Sequence, residues 1–195
     1  MSLVLASASA SRAGLLRAAG VEFSVHPADL DEAALMASMA GASPAYVALA
    51  LARAKAMAVS CAHPGALVLG GDSVIGFGGR HLSKCADMAA ARALLASLRG
   101  QEHMLVSAAA LARDGRVVWS HVSPCRMAMR DFSDAFLDGY LAAAGAAILS
   151  SVGCYHYEGR GAQLFEQVEG DYFAVLGLPL LPLLAALRRE GVLKS

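Results

Sequence analysis

Short apolar runs alternate with longer helical patterns along the whole chain. Leu3-Val4-Leu5 predicts a strand, and the turn Ser7-Ala8-Ser9-Ala10-Ser11-Arg12 feeds a helical stretch over residues 12–19 that Gly20 closes. Residues 21–25 read as a second strand, followed by the acidic segment Asp29-Leu30-Asp31-Glu32. Ser43-Pro44 combines a capping hydroxyl with a first-turn proline, which predicts a helix to about Ala62, ended by Pro64-Gly65. Residues 66–69 predict a short strand with Asp72 at its end, where Gly70 and Gly71 leave room for a ligand. A turn at Gly76 to Gly79 follows, and Asp87 caps a helix that runs through Leu98 to Gly100.

Asp114-Gly115 predicts a hairpin between strands at residues 104–111 and 117–129. Residues 133–144 read as a helix ending at Gly145, residues 163–168 and 172–176 as a strand pair, and residues 180–189 as a terminal helix after Pro179. Gly177-Leu178-Pro179 then ends a strand and starts that helix. Strands and helices intermix without a repeat or linker, so the expected architecture is α/β with a mixed sheet, one domain over residues 1–195.

Composition narrows the function classes. A chain of 195 residues, 57% hydrophobic and 16% charged, buries a full core, which excludes disorder as the main state. Sixteen basic residues balance sixteen acidic ones, so no global field draws it to a nucleic acid polymer or an anionic membrane, and any anion binding is local. Cys61, Cys85, Cys125 and Cys154 form no CxxC pair, which points to reduced thiols rather than zinc or a disulfide framework. No basic segment precedes a long apolar stretch at the N-terminus, and Ser, Gly or charged residues are expected to interrupt every span before membrane length, giving a soluble cytoplasmic protein. Neither HExxH nor a GxxxxGK[ST] loop occurs, so a catalytic zinc site and a Walker-type ATPase are excluded, and His103 and His156 read as local hydrogen-bonders.

Two regions carry candidate chemistry. At the serine-rich turn, free N–H groups and the dipole of the following helix converge on an anion, although Ser9 or Ser11 capping the helix accounts for the same residues without a ligand. Asp31, Glu32 and Asp72 suit a hard cation such as Mg²⁺, or activation of water, against the reading of each as a solvated loop charge. Val47, Leu51 and Lys55 share one side of a helix, bringing the Lys55 ammonium near the buried edge of the sheet unless it snorkels outward. Lys84 follows in a loop, as a second phosphate-neutralising cation or a plain solvated charge.

Six ordered blocks give a resemblance that runs nearly end to end: LVLASASASR at residues 3–12, DLDE at 29–32, ARAKA at 52–56, GGDSV at 70–74, LSK at 82–84 and EGDYFAVLGLPL at 169–180. Together they resemble the Maf family of nucleoside triphosphate pyrophosphatases. The resemblance implies an elongated mixed central sheet flanked by helices, with two lobes and a cleft. It implies cleavage of a nucleoside triphosphate to the monophosphate and pyrophosphate with a divalent cation, Mg²⁺ or Mn²⁺, sanitising the nucleotide pool. On this chain the family's proton acceptor falls on Asp72, its motif lysines on Lys55 and Lys84, its phosphate-binding hydroxyl and arginine on Ser9 and Arg12, and its metal-associated carboxylates on Glu32 and Asp72. Positions tied to base choice fall on Ser11, Ser73 and Glu158.

The chain departs from the family pattern at Ala10 and Ser11, where the signature has proline and a large or cationic side chain, and at Cys85, where it has proline. Loss of the large residue is expected to open the base pocket, and Glu158 favours a purine or modified purine, because a carboxylate accepts hydrogen bonds from a guanine-type edge. A homodimer, and a rival role as a nucleotide-binding regulator of septum formation, are further implications of the family.

Overall fold

The computed structural model describes residues 2–194. Its strands are β1 (Leu3–Leu5), β2 (Ser24–Val25), β3 (Leu67–Phe77), β4 (Arg80–His81), β5 (Glu102–Arg113), β6 (Arg116–Met129) and β7 (Phe165–Glu169). Its helices are α1 (Ala10–Ala18), α2 (Glu32–Ser38), α3 (Pro44–Ala62), α4 (Met88–Leu98), α5 (Asp134–Ala144), α6 (Tyr172–Val175) and α7 (Leu180–Arg189). The strands form one mixed sheet in the order β2-β1-β3-β5-β6-β7, with β4 on the β3 edge. β1 runs parallel to β2 and β3, whereas β3, β5, β6 and β7 are antiparallel neighbours. Asp114 and Gly115 turn the β5–β6 hairpin with φ of 51° and 76°, the pair of positive angles a tight hairpin turn requires.

Alternation along β3 divides the core. Leu67, Leu69 and Ile75 point to one face, where α1 and α7 pack at one end and α4, α5 and α6 at the other. Val68 and Val74 point to the opposite face, and there Val74 meets Val47, Leu51 and Ala52 of α3. Leu51 and Leu95, both fully buried, each contribute on the order of 2 kcal/mol by leaving water. Side chains of Ser9, Asp31, Ser43, Asp87, Ser133 and Asp171 each accept from the main-chain N–H three residues on, satisfying donors that a helix start leaves open.

The expected mixed α/β sheet flanked by helices is present, and several local expectations are corrected. β3 does not stop at Leu69 but continues to Phe77, because β5 pairs with it at every residue from Val68 to Gly76; Asp72 is therefore mid-strand. Residues 172–176 are helical, since Asp171 caps Ala174 and Gly177 (φ 104°) ends the turn, so a helix and not a strand precedes Gly177-Leu178-Pro179. Such a short apolar run has no periodicity to separate helix from strand. Only Ser24–Val25 of the second predicted strand pairs, α1 begins at Ala10, and the DLDE segment opens an unpredicted helix through its Asp31 cap. α3 does reach a length and apolarity sufficient to span a membrane; here it buries Val47, Leu51 and Lys55 against the sheet.

Candidate active site

The serine-rich turn uses its hydroxyls internally. Ser9 Oγ accepts the Arg12 N–H at 3.3 Å as the α1 cap, and Ser7 Oγ accepts from the Ser9 N–H and from Arg12 Nη1, both at 3.2 Å. Arg12 is buried beneath Gly71, where an added Cβ would lie only 3.1 Å from Nε. Its Nε donates to Gly177 O at 2.9 Å and its Nη2 to Ser73 Oγ at 3.1 Å. Ser107 gives its single proton to Ala174 O at 2.6 Å, so Ser73 is the donor across the 2.8 Å contact between the two hydroxyls. The result is a directed chain from Arg12 through Ser73 and Ser107 to α6.

Among the described residues every hydrogen-bond partner of the Arg12 guanidinium is neutral. Among the described residues no carboxylate lies within ion-pair distance of it, while burial lowers its pKa and the fields of Asp72 and Glu32 act in the opposite direction. A guanidinium keeps its proton under these conditions, so Arg12 is a desolvated cation lacking a direct counter-ion. Among the described residues three of its five N–H groups find partners, which leaves two for a ligand.

The opposite face of β3 carries the carboxylates. Neighbouring residues of a strand point to opposite faces, so Ser73 joins Arg12 while Asp72 points toward α3. Gly70 makes the helix approach possible: a Cβ there would stand 2.1 Å from Ala52 O. Lys55 Nζ bridges Asp72 Oδ1 at 2.7 Å and Glu32 Oε2 at 2.8 Å. Lys55 and Asp72 are nearly buried, whereas Glu32 is half-exposed. The glycines of the GGDSV block thus admit an α3 main chain and an arginine, rather than standing open for a ligand as expected.

The two faces meet at a gap in the sheet. β1 pairs with β3 only as far as Leu69, and β4 pairs with it only from Gly76. Leu69 O accepts from the Ala6 N–H and Ile75 O from the Leu82 N–H, so both carbonyls point to this edge. By alternation the main chain of Gly71 and Ser73 points the same way, and among the described residues no strand pairs with it there. The α1 turn flanks one end of the gap and Leu82 the other.

The structure therefore assembles Arg12 with Ser73 on one face, and Asp72 with Lys55 and Glu32 on the other. Ser11 is exposed and donates to Leu176 O at 2.6 Å, tying α1 to the end of α6. Ser73 spends its proton on Ser107 and accepts from Arg12, so its hydroxyl is largely committed within the protein. Lys84 and Glu158 are exposed loop residues outside both clusters. Ser7 and Gly177 lay inside motif blocks that gave them no site role, and Ser107 lay outside every block; Ser107 had one signal, as a lone hydroxyl in the apolar run of β5. His103 and His156 bond Tyr155 and Ser150, as local hydrogen-bonders should. A cavity of about 530 Å³ lies elsewhere, between Pro44, Gly76, Arg80, Glu102 and Arg126, and contains none of the clustered polar residues.

Comparison with known proteins decides the family, because the family model for Maf-like protein matches residues 2–190. The chain belongs to the Maf family. Among Maf relatives, a nucleoside triphosphate pyrophosphatase of Maricaulis maris is 51% identical over 192 residues, covering 98% of each chain. A 7-methyl-GTP pyrophosphatase of Brucella suis is 52% identical over 190 residues, covering 96% of each. A 7-methyl-GTP pyrophosphatase of Rhizobium meliloti is 50% identical over 195 residues, covering 99% of this chain and 98% of its own.

Proposed function

We propose that this Maf-family chain is a nucleoside triphosphate pyrophosphatase acting on free nucleotides in the cytoplasm. One observation carries the reading: a buried Arg12 with no direct counter-ion among the described residues lies across a gap in the sheet edge from an Asp72–Lys55–Glu32 cluster. A polyphosphate crossing that gap meets the two free Arg12 N–H groups and the edge N–H groups of Gly71 and Ser73. Lys84, two residues after the Leu82 that bonds Ile75, adds charge to the phosphate clamp, and Ser9 places α1 so that its N-terminus faces the phosphates.

The donor set fits a hard divalent cation. Asp72 and Glu32 each give one oxygen to Lys55, and the second oxygen of each has no hydrogen bond among the described residues. Two monodentate carboxylates plus waters and substrate phosphates match the ligands Mg²⁺ or Mn²⁺ prefers, even though no group of three protein ligands gathers among the described residues. Asp72 and Glu32 would hold the ion, which when bound neutralises charge on the phosphates and lowers the pKa of water. Lys55 orients the Asp72 carboxylate, and Asp72 accepts the proton of the attacking water. The water oxygen bonds to the α phosphorus, the bond to the α–β bridging oxygen breaks, and pyrophosphate departs with that oxygen.

Glu158 reads the base, its carboxylate accepting from the N–H edge of guanine or a 7-methylated guanine and repelling the carbonyl-rich edge of a pyrimidine. Ser11, small where the family signature has a large side chain, leaves the base pocket open. A regulator of septum formation that only binds nucleotide has no need of a water-activating carboxylate, and nothing at the site favours that reading.

The test incubates canonical triphosphates and 7-methyl-GTP with Mg²⁺ or Mn²⁺ and separates pyrophosphate from orthophosphate. Pyrophosphate is the expected product, and Asp72→Asn is expected to lower kcat by roughly 10²–10⁴-fold, the scale of a lost general base. No pyrophosphate from any substrate, or full activity in Asp72→Asn, overturns the proposal.

A further inference from the structure

Ser107 has no part in the hydrolysis set out above, yet it is completely buried in the middle of β5 and uses its hydroxyl in both directions. Its Oγ donates to Ala174 O at 2.6 Å and accepts from Ser73 Oγ at 2.8 Å. Ala174 O also accepts the Gly177 N–H at 2.9 Å. Gly177 O in turn accepts from Arg12 Nε at 2.9 Å, and Ser73 Oγ accepts from Arg12 Nη2 at 3.1 Å. The hydrogen bonds therefore close a ring that leaves Arg12 at one nitrogen and returns at another, by way of Ser73, Ser107, Ala174 and Gly177. The ring is tight, since a Cβ on Gly177 would lie 3.5 Å from Ser73 Oγ and 3.8 Å from Arg12 Nε.

Two of the three groups that accept from the Arg12 guanidinium belong to this ring; the third, Ser7 Oγ, lies on the serine-rich turn before α1. A planar guanidinium held through both Nε and Nη2 is fixed in its plane and in its rotation, which sets the direction of its remaining N–H groups. Every other member of the ring is neutral, so the cation is positioned without being cancelled and stays available to an anion.

We propose that Ser107 is a positioning residue for the Arg12 anion site, closing the ring that aims the guanidinium at the phosphates. Removing its hydroxyl takes the acceptor from the Ser73 proton and the side-chain donor from Ala174 O. Ser73 is then free to turn, and the end of α6 loses its polar tie to β5, so both ring contacts of Arg12 loosen together. Asp72, Lys55 and Glu32 bond one another on the opposite face of β3 and keep their contacts. The loss therefore falls on anion binding and not on proton acceptance by Asp72. That the anion is a triphosphate rests on the pyrophosphatase reading above.

The test measures binding of inorganic pyrophosphate by titration calorimetry in metal-free buffer, alongside KM and kcat for triphosphate hydrolysis. Ser107→Ala is expected to raise the pyrophosphate Kd and the triphosphate KM about tenfold each, the scale of one hydrogen bond to a charged group, and to lower kcat by less than about threefold. Ser60→Ala is the structural control: Ser60 is equally buried, donates to Met57 O at 2.9 Å and accepts the Gly115 N–H at 3.0 Å, outside both clusters. It is expected to lower the Tm, as Ser107→Ala does, but to leave Kd and KM unchanged. In an Arg12→Lys background, where no planar fork spans the two acceptors, adding Ser107→Ala is expected to change Kd by less than about twofold. If Ser107→Ala does not fold, Ser107→Cys, a weak donor of similar size, carries the same expectation. Unchanged Kd and KM in Ser107→Ala, equal weakening in Ser60→Ala, or a tenfold effect that persists with Arg12→Lys overturns the assignment. So does a wild-type protein that binds no pyrophosphate. A wild-type protein that binds pyrophosphate but releases none from any triphosphate overturns the pyrophosphatase reading instead, and the Kd comparison still decides the role of Ser107.

Discussion

Gly70→Ala tests how the sheet sets the geometry of the site. The new methyl carbon would lie 2.1 Å from Ala52 O, 2.7 Å from Ala56 N and 3.0 Å from Ala56 Cβ, and two of these are main-chain atoms of α3. Ordinary contact begins near 3.4 Å, so helix and strand must separate by about 1.3 Å at this crossing. Neither side yields readily. β5 pairs with β3 on both sides of Gly70, and α3 buries Val47 and Leu51 completely or nearly so. Overpacking of this kind costs about 1–3 kcal/mol, which lowers the Tm of a chain this long by about 2–4 °C per kcal/mol. The same separation carries Lys55 away from Asp72 and opens their 2.7 Å contact, so kcat/KM is expected to fall by roughly a hundredfold. Thermal unfolding and pyrophosphate release, measured together, check both effects. Gly14→Ala is the control: Gly14 lies inside α1 with nothing within 4 Å of its would-be Cβ, and alanine is expected to add up to about 1 kcal/mol there. A Gly70→Ala protein with wild-type Tm and wild-type hydrolysis would refute the argument that glycine is present to admit the helix.

Two further outcomes follow from buried charge. Burial pushes His103 down from 6.5 to about 4, so between those values the unfolded chain takes up a proton that the folded chain refuses. The His103 contribution is therefore complete above pH 6.5 and is lost as pH falls toward 4, by on the order of 3 kcal/mol. Urea midpoints across that range should fall less steeply in His103→Phe than in the wild type, and parallel curves would contradict this account. Lys55→Met keeps the apolar stem but strips the nearly buried Asp72 of its cation, so in metal-free buffer it is expected to lose about 3 kcal/mol of unfolding free energy along with hydrolysis. A loss below about 0.5 kcal/mol, the level of an ordinary surface change, would show that Asp72 does not depend on Lys55 for its charge balance.

Local signals were legible where a residue's own chemistry determines its neighbours. Ser43-Pro44 and Asp87 start helices, Gly100 and Gly145 end them, and Asp114-Gly115 turns a hairpin, because each acts through main-chain geometry or donors a few positions away. The motif blocks identified the family and the residues to watch. They did not reveal that Asp72 lies mid-strand, since two glycines read as a break until β5 and α3 close around them. Nor did they separate strand from helix at residues 172–176, where Asp171 and Gly177 overrode an apolar run too short to carry a period.

The sequence by itself determined which groups are available: an arginine after a capping serine, a carboxylate after two glycines, and a lysine on the apolar side of a helix. Only the tertiary structure decided which of them meet. Strand alternation sends Asp72 and Ser73 to opposite faces, so Lys55 and Glu32 join the first while Arg12 and Ser107 join the second. The β3 edge stays open because β1 stops at Leu69, leaving the two clusters on either side of unpaired main chain. Pairing between distant segments sets that gap, and no spacing along the chain encodes it.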